Sequence, residues 1–548
     1  MVMLRKTWVM AAASLFCVLW FALLAQRPLF DPDEGRYAEI PREMLGGGGW
    51  VIPHLNGLVY LEKPPLQYWL TALSFRAFGE GEFAARLCTG SAGFLTLATV
   101  FLIGRHLWGR RAGTRAVMLT AASALFVLLG HQLTLDMLLS FFLTAALASF
   151  LAAQTRRDDA RTGRLWMLGC WGAMALAVLT KGLIGVVIPG AAMGAYVLWQ
   201  RDWRVLRGLN LRWGLPLFLG IAGPWFILAA RANPEFLRFF FVREHFQRYL
   251  TPIEHRTEAW WFFVPVLALG IAPWLPQALR AWLDTLKPRI PRGGFDAPRL
   301  LAAWCAFIVV FYSASDSKLI PYILPVVPAL ALLCSSRPEA DGAGSLMGGA
   351  FLSLACALAL LIYANGRWNS AESTELLLRI RPLLTGVGGL LAAGAFAGAV
   401  LALNARPLAA LAALCGAWFL ASAGILCAAN GAQTLYSAKN AALELRRVSE
   451  PGGLEGVPVF AVQSYQQSLP FYLRRTVTLV DYRDEFDLGL AQNPQGGIAT
   501  MQQFVRVWQN LGAGFAVMRP GTRDRLTALG ASMREVAELP DRVVVSRR

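Results

Sequence analysis

Residues 134–153 read Thr-Leu-Asp-Met-Leu-Leu-Ser-Phe-Phe-Leu-Thr-Ala-Ala-Leu-Ala-Ser-Phe-Leu-Ala-Ala, a long apolar run with a single charge, Asp136, near its start. As a helix it would reach about 30 Å, the thickness of a bilayer's hydrocarbon core. Comparable stretches lie near 7–25, 86–108, 113–130, 166–180, 182–199, 213–230, 260–279, 299–313, 319–334, 346–364, 382–403 and 407–429. The sequence therefore predicts an α-helical multi-pass membrane protein with about thirteen transmembrane helices. Composition agrees, because 548 residues that are 56% hydrophobic and 16% charged cannot cloak several water-soluble globules.

The balance of 51 basic against 34 acidic residues, +17, would suggest a nucleic-acid partner in a soluble chain. Here the positive-inside rule accounts for it, and no nucleic acid is expected. Arg5-Lys6, Arg110-Arg111-Arg115, Arg156-Arg157-Arg161-Arg164, Arg201-Arg204-Arg207-Arg212 and Arg280-Lys287-Arg289-Arg292 all fall on the side of the N-terminus, which is read as cytoplasmic. The opposite side, the bacterial periplasm, receives long segments at 26–85 and 231–259 and short turns at 131–136, at Lys181 and at 314–318. No small-residue cleavage site follows the first apolar run, so it is read as an uncleaved span. All eight cysteines fall in or beside apolar runs and cannot form a disulfide framework.

After about Asn430 the texture becomes mixed. We expect a transmembrane domain over 1–430 and a small periplasmic α/β domain over 431–548, the latter with 14 basic against 11 acidic residues. Strands are predicted at Val457–Val462, Thr476–Val480, Phe515–Met518 and Val543–Val545, and helices at 434–448 and 500–511. An odd number of spans places this domain outside. No matched pair of broken spans of the kind transporters carry is evident.

Chemistry concentrates on the outer side. In Phe30-Asp31-Pro32-Asp33-Glu34-Gly35-Arg36-Tyr37, Asp31 suits a helix N-cap and Pro32 the first turn, while Asp33 and Glu34 suit the positive end of the dipole. Tyr37, Ile40 and Met44 would share one face, predicting a juxtamembrane helix on the bilayer boundary that holds its acids at headgroup level. Capping needs one acid, and this cluster has three beside Arg36. Glu62 and Lys63 precede two prolines on an extended turn. Asp136 lies at membrane depth, where an acid is a functional candidate by default. The segment after Arg231 carries Arg238, Arg243, Glu244, His245, Arg248, Glu254, His255 and Arg256, and so many arginines on an outer loop argue for an anionic ligand. Ser315-Asp316-Ser317-Lys318 precedes Tyr322. Glu62 with His245 is the one pair read as a divalent-metal site, for zinc, magnesium or manganese; no other cofactor is expected.

Six strings carry a family likeness: Asp-Glu-Gly-Arg-Tyr-Ala-Glu-Ile-Pro-Arg-Glu-Met from Asp33, Pro-His-Leu-Asn-Gly-Leu from Pro53, Glu-Lys-Pro from Glu62, Thr-Lys-Gly from Thr180, Glu-His-Phe-Gln-Arg from Glu244 and Ser-Lys-Leu-Ile-Pro-Tyr-Ile-Leu from Ser317. With them the sequence resembles the polyprenyl-phosphate-dependent membrane glycosyltransferases of GT-C type, and among these the lipid A aminoarabinose transferases. The likeness covers about the first 340 residues, and the C-terminal domain adds no motif. It implies an inner-membrane enzyme that moves 4-amino-4-deoxy-L-arabinose from undecaprenyl phosphate to lipid A phosphates and confers resistance to polymyxin and other cationic peptides. By the same resemblance the essential acid is Asp33, and the active-site residues are Arg36, Tyr37, Tyr60, Glu62, Lys63, Asp136, His245, Arg248, Lys318 and Tyr322. One departure is Gly46-Gly47-Gly48-Gly49, where the family pattern has a small residue, Gly and Asp or Asn before the tryptophan.

These expectations give partners and roles: a polyprenyl-linked sugar, lipid A and bilayer lipids, with the chain a monomer. Lys63, Arg243 and Arg248 would neutralise the leaving phosphate. The acceptor phosphate is already ionised and needs no base, so direct displacement would invert the sugar carbon. Two alternatives stand beside this reading. A protein O-glycosyl(mannosyl)transferase of the same architecture would need Asp33 as a true base. A lipid-linked sugar transporter would put its charges near the bilayer midplane.

Overall fold

The computed structural model describes residues 2–156, 159–251, 257–288, 294–337, 342–366, 371–449 and 453–547. Arg157, Glu254, His255, Arg256, Arg289 and Arg292 lie outside the described residues. Every apolar stretch of the sequence falls on helix. Glu82–Trp108, Leu135–Thr155, Ala160–Lys181, Leu211–Ala232, Ala343–Asn365, Leu376–Leu403 and Pro407–Tyr436 are long and apolar enough to cross a membrane. Arg110–Ala121 with Ala124–Gly130, bent by 71°, and Phe263–Gly270 with Ala272–Leu286, bent by 80°, qualify as broken spans. Met10–Ala25, Ile184–Gln200, Ala297–Ser313 and Ile320–Ser335 are shorter. By length and composition the described residues thus hold 7 crossings, or up to 9 with the bent pairs, where the sequence predicted about thirteen.

Close packing fixes the outer ends of these helices. Gly90 and Gly93 on helix Glu82–Trp108 let the first helix approach: Trp20 donates its indole N–H to the carbonyl of Gly90 at 2.9 Å, and a Cβ at Gly93 would lie 2.7 Å from the Trp20 ring. Leu215, Leu219, Ile227 and Leu228 on helix Leu211–Ala232 remain exposed, as lipid-facing side chains must.

The C-terminal region forms a six-stranded sheet in the order Gly497–Ile498, Thr478–Val480, Val459–Val462, Phe515–Met518, Arg542–Ser546, Arg534–Leu539. The first four strands are parallel and the last two antiparallel. All four predicted strands are present; the two edge strands, which alternate poorly, gave no signal. Strand Val459–Val462 sends successive side chains to opposite faces. Phe460 and Val462 pack under helix Met501–Asn510 through Phe504 and Trp508. Val459 and Ala461 join a second core that also contains Tyr37, Ile40 and Met44.

That second core corrects one expectation. The apolar face of helix Asp33–Leu45 does not lie on the bilayer. Tyr37, Ile40 and Met44 are 6%, 0% and 2% exposed and share one apolar core with residues of the C-terminal domain. Asn56 reinforces the junction through a reciprocal pair, its amide donating to the Val477 carbonyl at 2.7 Å while its oxygen accepts from the Val477 N–H at 2.8 Å. The glycine run after the helix forms a tight turn: Gly47 has φ +103°, and a Cβ at Gly48 would sit 2.8 Å from the Glu43 carbonyl.

Candidate active site

The three acids at the start of helix Asp33–Leu45 have three different fates. Asp31 is not the N-cap; Pro32 occupies that position without a side-chain cap. The Asp31 carboxylate instead accepts from the N–H and hydroxyl of Ser468, at 2.6 and 3.0 Å, and ties the loop to the C-terminal domain. Burial pushes its carboxyl up to about 7, against the hydrogen bonds from Ser468. Glu34 is fully buried between Arg27 and Arg86, with Arg86 donating at 2.8 and 2.9 Å and the N–H groups of Phe30 and Leu133 each at 2.9 Å. Burial alone would raise its carboxyl, but the two guanidinium groups hold it well below the usual range. A carboxylate so saturated staples the loop to the bundle and is not available to substrate. Only Asp33 faces a cavity, 3.3 Å from Arg36 one turn on.

That cavity, a polar chamber of about 400 Å³, is where the dispersed residues meet. Asp33, Arg36 and Tyr37 come from the first outer helix, Glu62 and Lys63 from the extended turn, Asp136 from the top of helix Leu135–Thr155. Arg243 and Arg248 come from the outer segment, and Tyr322 from the short turn Ile320–Ile323. Arg243 to Gln247 belong to a π-helix over Arg238–Gln247, a wide turn that often marks functional sites.

The ion pairs do not follow chain neighbours. Lys63 does not pair with its neighbour Glu62; its ammonium donates to Glu244 at 2.7 Å and to the Glu62 carbonyl at 3.0 Å. Arg248 donates to the same Glu244 oxygen at 3.0 Å. Burial would raise the Glu244 carboxyl, but Lys63 and Arg248 bring it down to about 2. Glu62 goes the other way: burial and then the charge of Glu244 push it up to about 7. Tyr60 stands behind Glu62, donating its hydroxyl at 3.0 Å, and is itself 2% exposed. Asp136 pairs with Lys181 at 2.5 Å, and the Lys181 ammonium also lies 4.5 Å from the centre of the Tyr322 ring.

Two expectations do not fit this geometry. The Nδ1–H of His245 donates to the Phe240 carbonyl at 2.7 Å and Nε2 accepts the Leu183 N–H at 3.2 Å, so no lone pair is left to share a metal with Glu62. Burial lowers the ring's proton affinity, which suits this neutral form. Among the described residues no group of three His, Cys, Asp or Glu side chains is placed to hold a metal ion. Gly182, at φ +92°, is what admits the His245 ring, because a Cβ there would collide with it. Lys318 is 7% exposed, donates to the Ser315 carbonyl at 2.5 Å and is absent from the chamber walls; it braces its own loop.

Sequence reasoning also left out residues that the fold brings in. Lys181 is a lone cation between two apolar runs, a signal that could have marked it. Glu244 was visible among its neighbours without a role. Gln467, Asp484, Glu485 and Asp487 line the chamber from the C-terminal domain. Glu485 is paired with Arg36 and accepts from Gln467 at 2.9 Å, and it counters the burial that would otherwise weaken the Arg36 charge. Acids on a polar domain carry no signal of their own.

Beside the chamber runs an apolar groove of about 470 Å³ whose walls include Leu183, Ile184, Val187, Phe246, Leu250 and Phe311. Lys63, Lys181, Glu244, Arg248 and Tyr322 belong to both cavities.

Residues 447–547 match the family described as aminoarabinose transferase C-terminal domain, and residues 62–227 match dolichyl-phosphate-mannose-protein mannosyltransferase. An undecaprenyl phosphate-alpha-4-amino-4-deoxy-L-arabinose arabinosyl transferase of Pseudomonas paraeruginosa is 32% identical over 524 residues, 92% of this chain and 90% of that protein. The chain belongs to this arabinosyl transferase family. An arabinosyl transferase of Edwardsiella ictaluri is 35% identical, over an alignment spanning 59% of this chain and 57% of that relative's length. The structure of ArnT from Cupriavidus metallidurans bound to undecaprenyl phosphate superposes with a TM-score of 0.90 at 32% identity, covering 99% of this chain and 98% of that one. The arabinosyl transferase fold therefore extends over the whole chain, C-terminal sheet included, and its apolar helices make it an integral inner-membrane protein.

Proposed function

We infer that this protein transfers 4-amino-4-deoxy-L-arabinose from undecaprenyl phosphate to phosphate groups of lipid A, with its chamber and C-terminal domain in the periplasm and its N-terminus in the cytoplasm. The transmembrane part would end near residue 430. The observation that carries this reading is the junction of the two cavities: an apolar groove suited to a polyprenyl chain meets a polar chamber at Lys63, Lys181 and Arg248. A lipid phosphate with its tail in the groove would place its charge beside those cations.

The reaction needs such a site. Donor and acceptor phosphates about 6 Å apart at an effective dielectric near 20 repel by about 3 kcal/mol per charge pair. Lys63, Arg248 and Arg243 offset that repulsion and stabilise the leaving phosphate. An oxygen of the acceptor phosphate attacks the anomeric carbon, the bond from that carbon to the donor oxygen breaks, and undecaprenyl phosphate departs with the electron pair. Attack opposite the leaving group inverts the carbon. Asp33 stabilises positive charge growing there, and Arg36 fixes Asp33 while anchored by Glu485.

Mass spectrometry after incubation with the aminoarabinose donor, lipid A and periplasmic protein tests this reading. Sugar is expected on lipid A alone. The mannosyltransferase match over residues 62–227 makes a protein acceptor the rival to exclude, and sugar on serine or threonine would establish it. Transfer in detergent, where no sidedness exists, separates an enzyme from a transporter.

A further inference from the structure

The chamber and the groove differ in the charges that line them. The chamber's ionisable residues shared with the groove are three cations, Lys63, Lys181 and Arg248, with the single anion Glu244. Those confined to the chamber are six acids, Asp33, Glu62, Asp136, Asp484, Glu485 and Asp487, against two arginines, Arg36 and Arg243. The chamber as a whole carries seven acids against five cations, an excess that two phosphates alone would not call for.

Resting on the reading of the function above, we propose that Asp484 and Asp487 of the C-terminal domain bind the ammonium group of the sugar and make the enzyme selective for an amino sugar. In a pyranose, C1 and C4 are on opposite sides of the ring. With the C1 phosphate held at Lys63 and Arg248, the C4 substituent points away from it into the chamber, which residues of the C-terminal domain line while none of them lines the groove. An alkyl amine is protonated at neutral pH.

The remaining chamber acids differ in how firmly they are held. Glu485 is paired with Arg36 and Gln467, and Asp136 with Lys181. Glu62, like Asp484, accepts one hydroxyl, that of Tyr60, but it adjoins Lys63 where the phosphate is held, and Asp33 is kept for the anomeric carbon. Asp487, by contrast, has only a 3.4 Å contact to Arg243 between half-exposed side chains, a weak pair that an ammonium can displace. Asp484 accepts a single hydroxyl, from Tyr482 at 3.2 Å. Independently of these acids, Tyr37 also points to a polar occupant. It is 6% exposed and lines the chamber, yet its hydroxyl has no hydrogen-bond partner among the described residues. The Tyr37 hydroxyl is placed to take a ring oxygen or hydroxyl of a sugar lying in the chamber.

The test compares two donors on the full-length protein in lipid nanodiscs, undecaprenyl phosphate carrying 4-amino-4-deoxy-L-arabinose and the same donor with its amine N-formylated and therefore neutral. The wild type is expected to prefer the amine by about tenfold or more in kcat/KM. In D484N/D487N the KM for the amino donor rises about tenfold while kcat changes less than about threefold, so that the preference collapses. Undecaprenyl phosphate without sugar, followed by tryptophan fluorescence, binds the double variant as it binds wild type and shows that the fold is intact. A preference retained in the double variant, or a wild type indifferent to the formyl group, overturns the proposal and leaves the transferase reading standing. A wild type that transfers neither sugar overturns the transferase reading itself, and this one with it.

Discussion

The first outer loop and the C-terminal domain wall the same chamber, yet they differ in how their charges are partnered. In the loop the charges around Asp33 are locked, Glu34 between two arginines, Lys63 on Glu244 and Asp31 on Ser468, while Asp33 itself keeps one 3.3 Å contact to Arg36. On the domain, Asp484 and Asp487 are held loosely at half-exposed positions. The contrast teaches a division of labour. In the proposed reaction the loop's locked charges are the fixed frame that chemistry requires, while the domain lines the chamber with adaptable contacts.

The sharpest way to break that comparison is Asp33→Asn. Transfer in reconstituted membranes is expected to fall by roughly a thousandfold or more, the scale of losing one electrostatic group matched to the transition state, with insertion and thermal stability unchanged. Full activity would remove Asp33 from the mechanism and the loop from its chemical role.

Next comes Gly35→Ala, on the face of the same helix that meets the domain. A Cβ there would lie 2.5 Å from the Gln467 carbonyl carbon and would collide with the backbone of Ser468. Backbone cannot yield as a side chain can, so we expect about 1–3 kcal/mol of lost stability and a lower melting temperature. An unchanged melting curve would mean that the two regions do not dock this closely.

Asn56→Ala probes the same junction from the loop's far end. It strips both partners from Val477 and is expected to cost about 1–3 kcal/mol, read by urea unfolding, with kcat little altered. A large kcat loss at full stability would place Asn56 in the chemistry instead.

The last effect is a slope. Asp31 is raised in the folded state to about 7 from an ordinary 3.8, so its contribution is fully present below about pH 4 and is lost as pH rises to 7. Asp31→Asn should flatten the decline of melting temperature over that window. An unaltered slope would show that the carboxyl is not buried at the junction.

How much of this was legible in the sequence follows from contrast with the surroundings. Asp33, Glu62, Lys63, Asp136 and Arg248 stand out because charges are scarce in an apolar chain, and each lines the chamber. The strands at Val459–Val462 and Phe515–Met518 were legible because buried β-branched and aromatic runs have few other uses. Pairings were not legible. Lys63 meets Glu244 across 181 positions rather than Glu62 across one, since partner choice depends on how the outer segment folds over the loop. Asp31 suited a cap by every local rule, and the tertiary contact with Ser468 prevailed. Asp484 and Asp487 look like ordinary surface acids until the domain is seated.

The tie between Asp31 and Ser468 spans 437 positions of chain. At a synthesis rate of about 5–20 residues per second, the first outer helix is finished tens of seconds before the surface that covers Tyr37, Ile40 and Met44 exists. During that interval a nascent chain carries an uncovered apolar flank and a half-built enclosure, so assembly of the working enzyme is a late event in translation, and the newborn loop is the place where a chaperone or a neighbouring membrane would have to stand in.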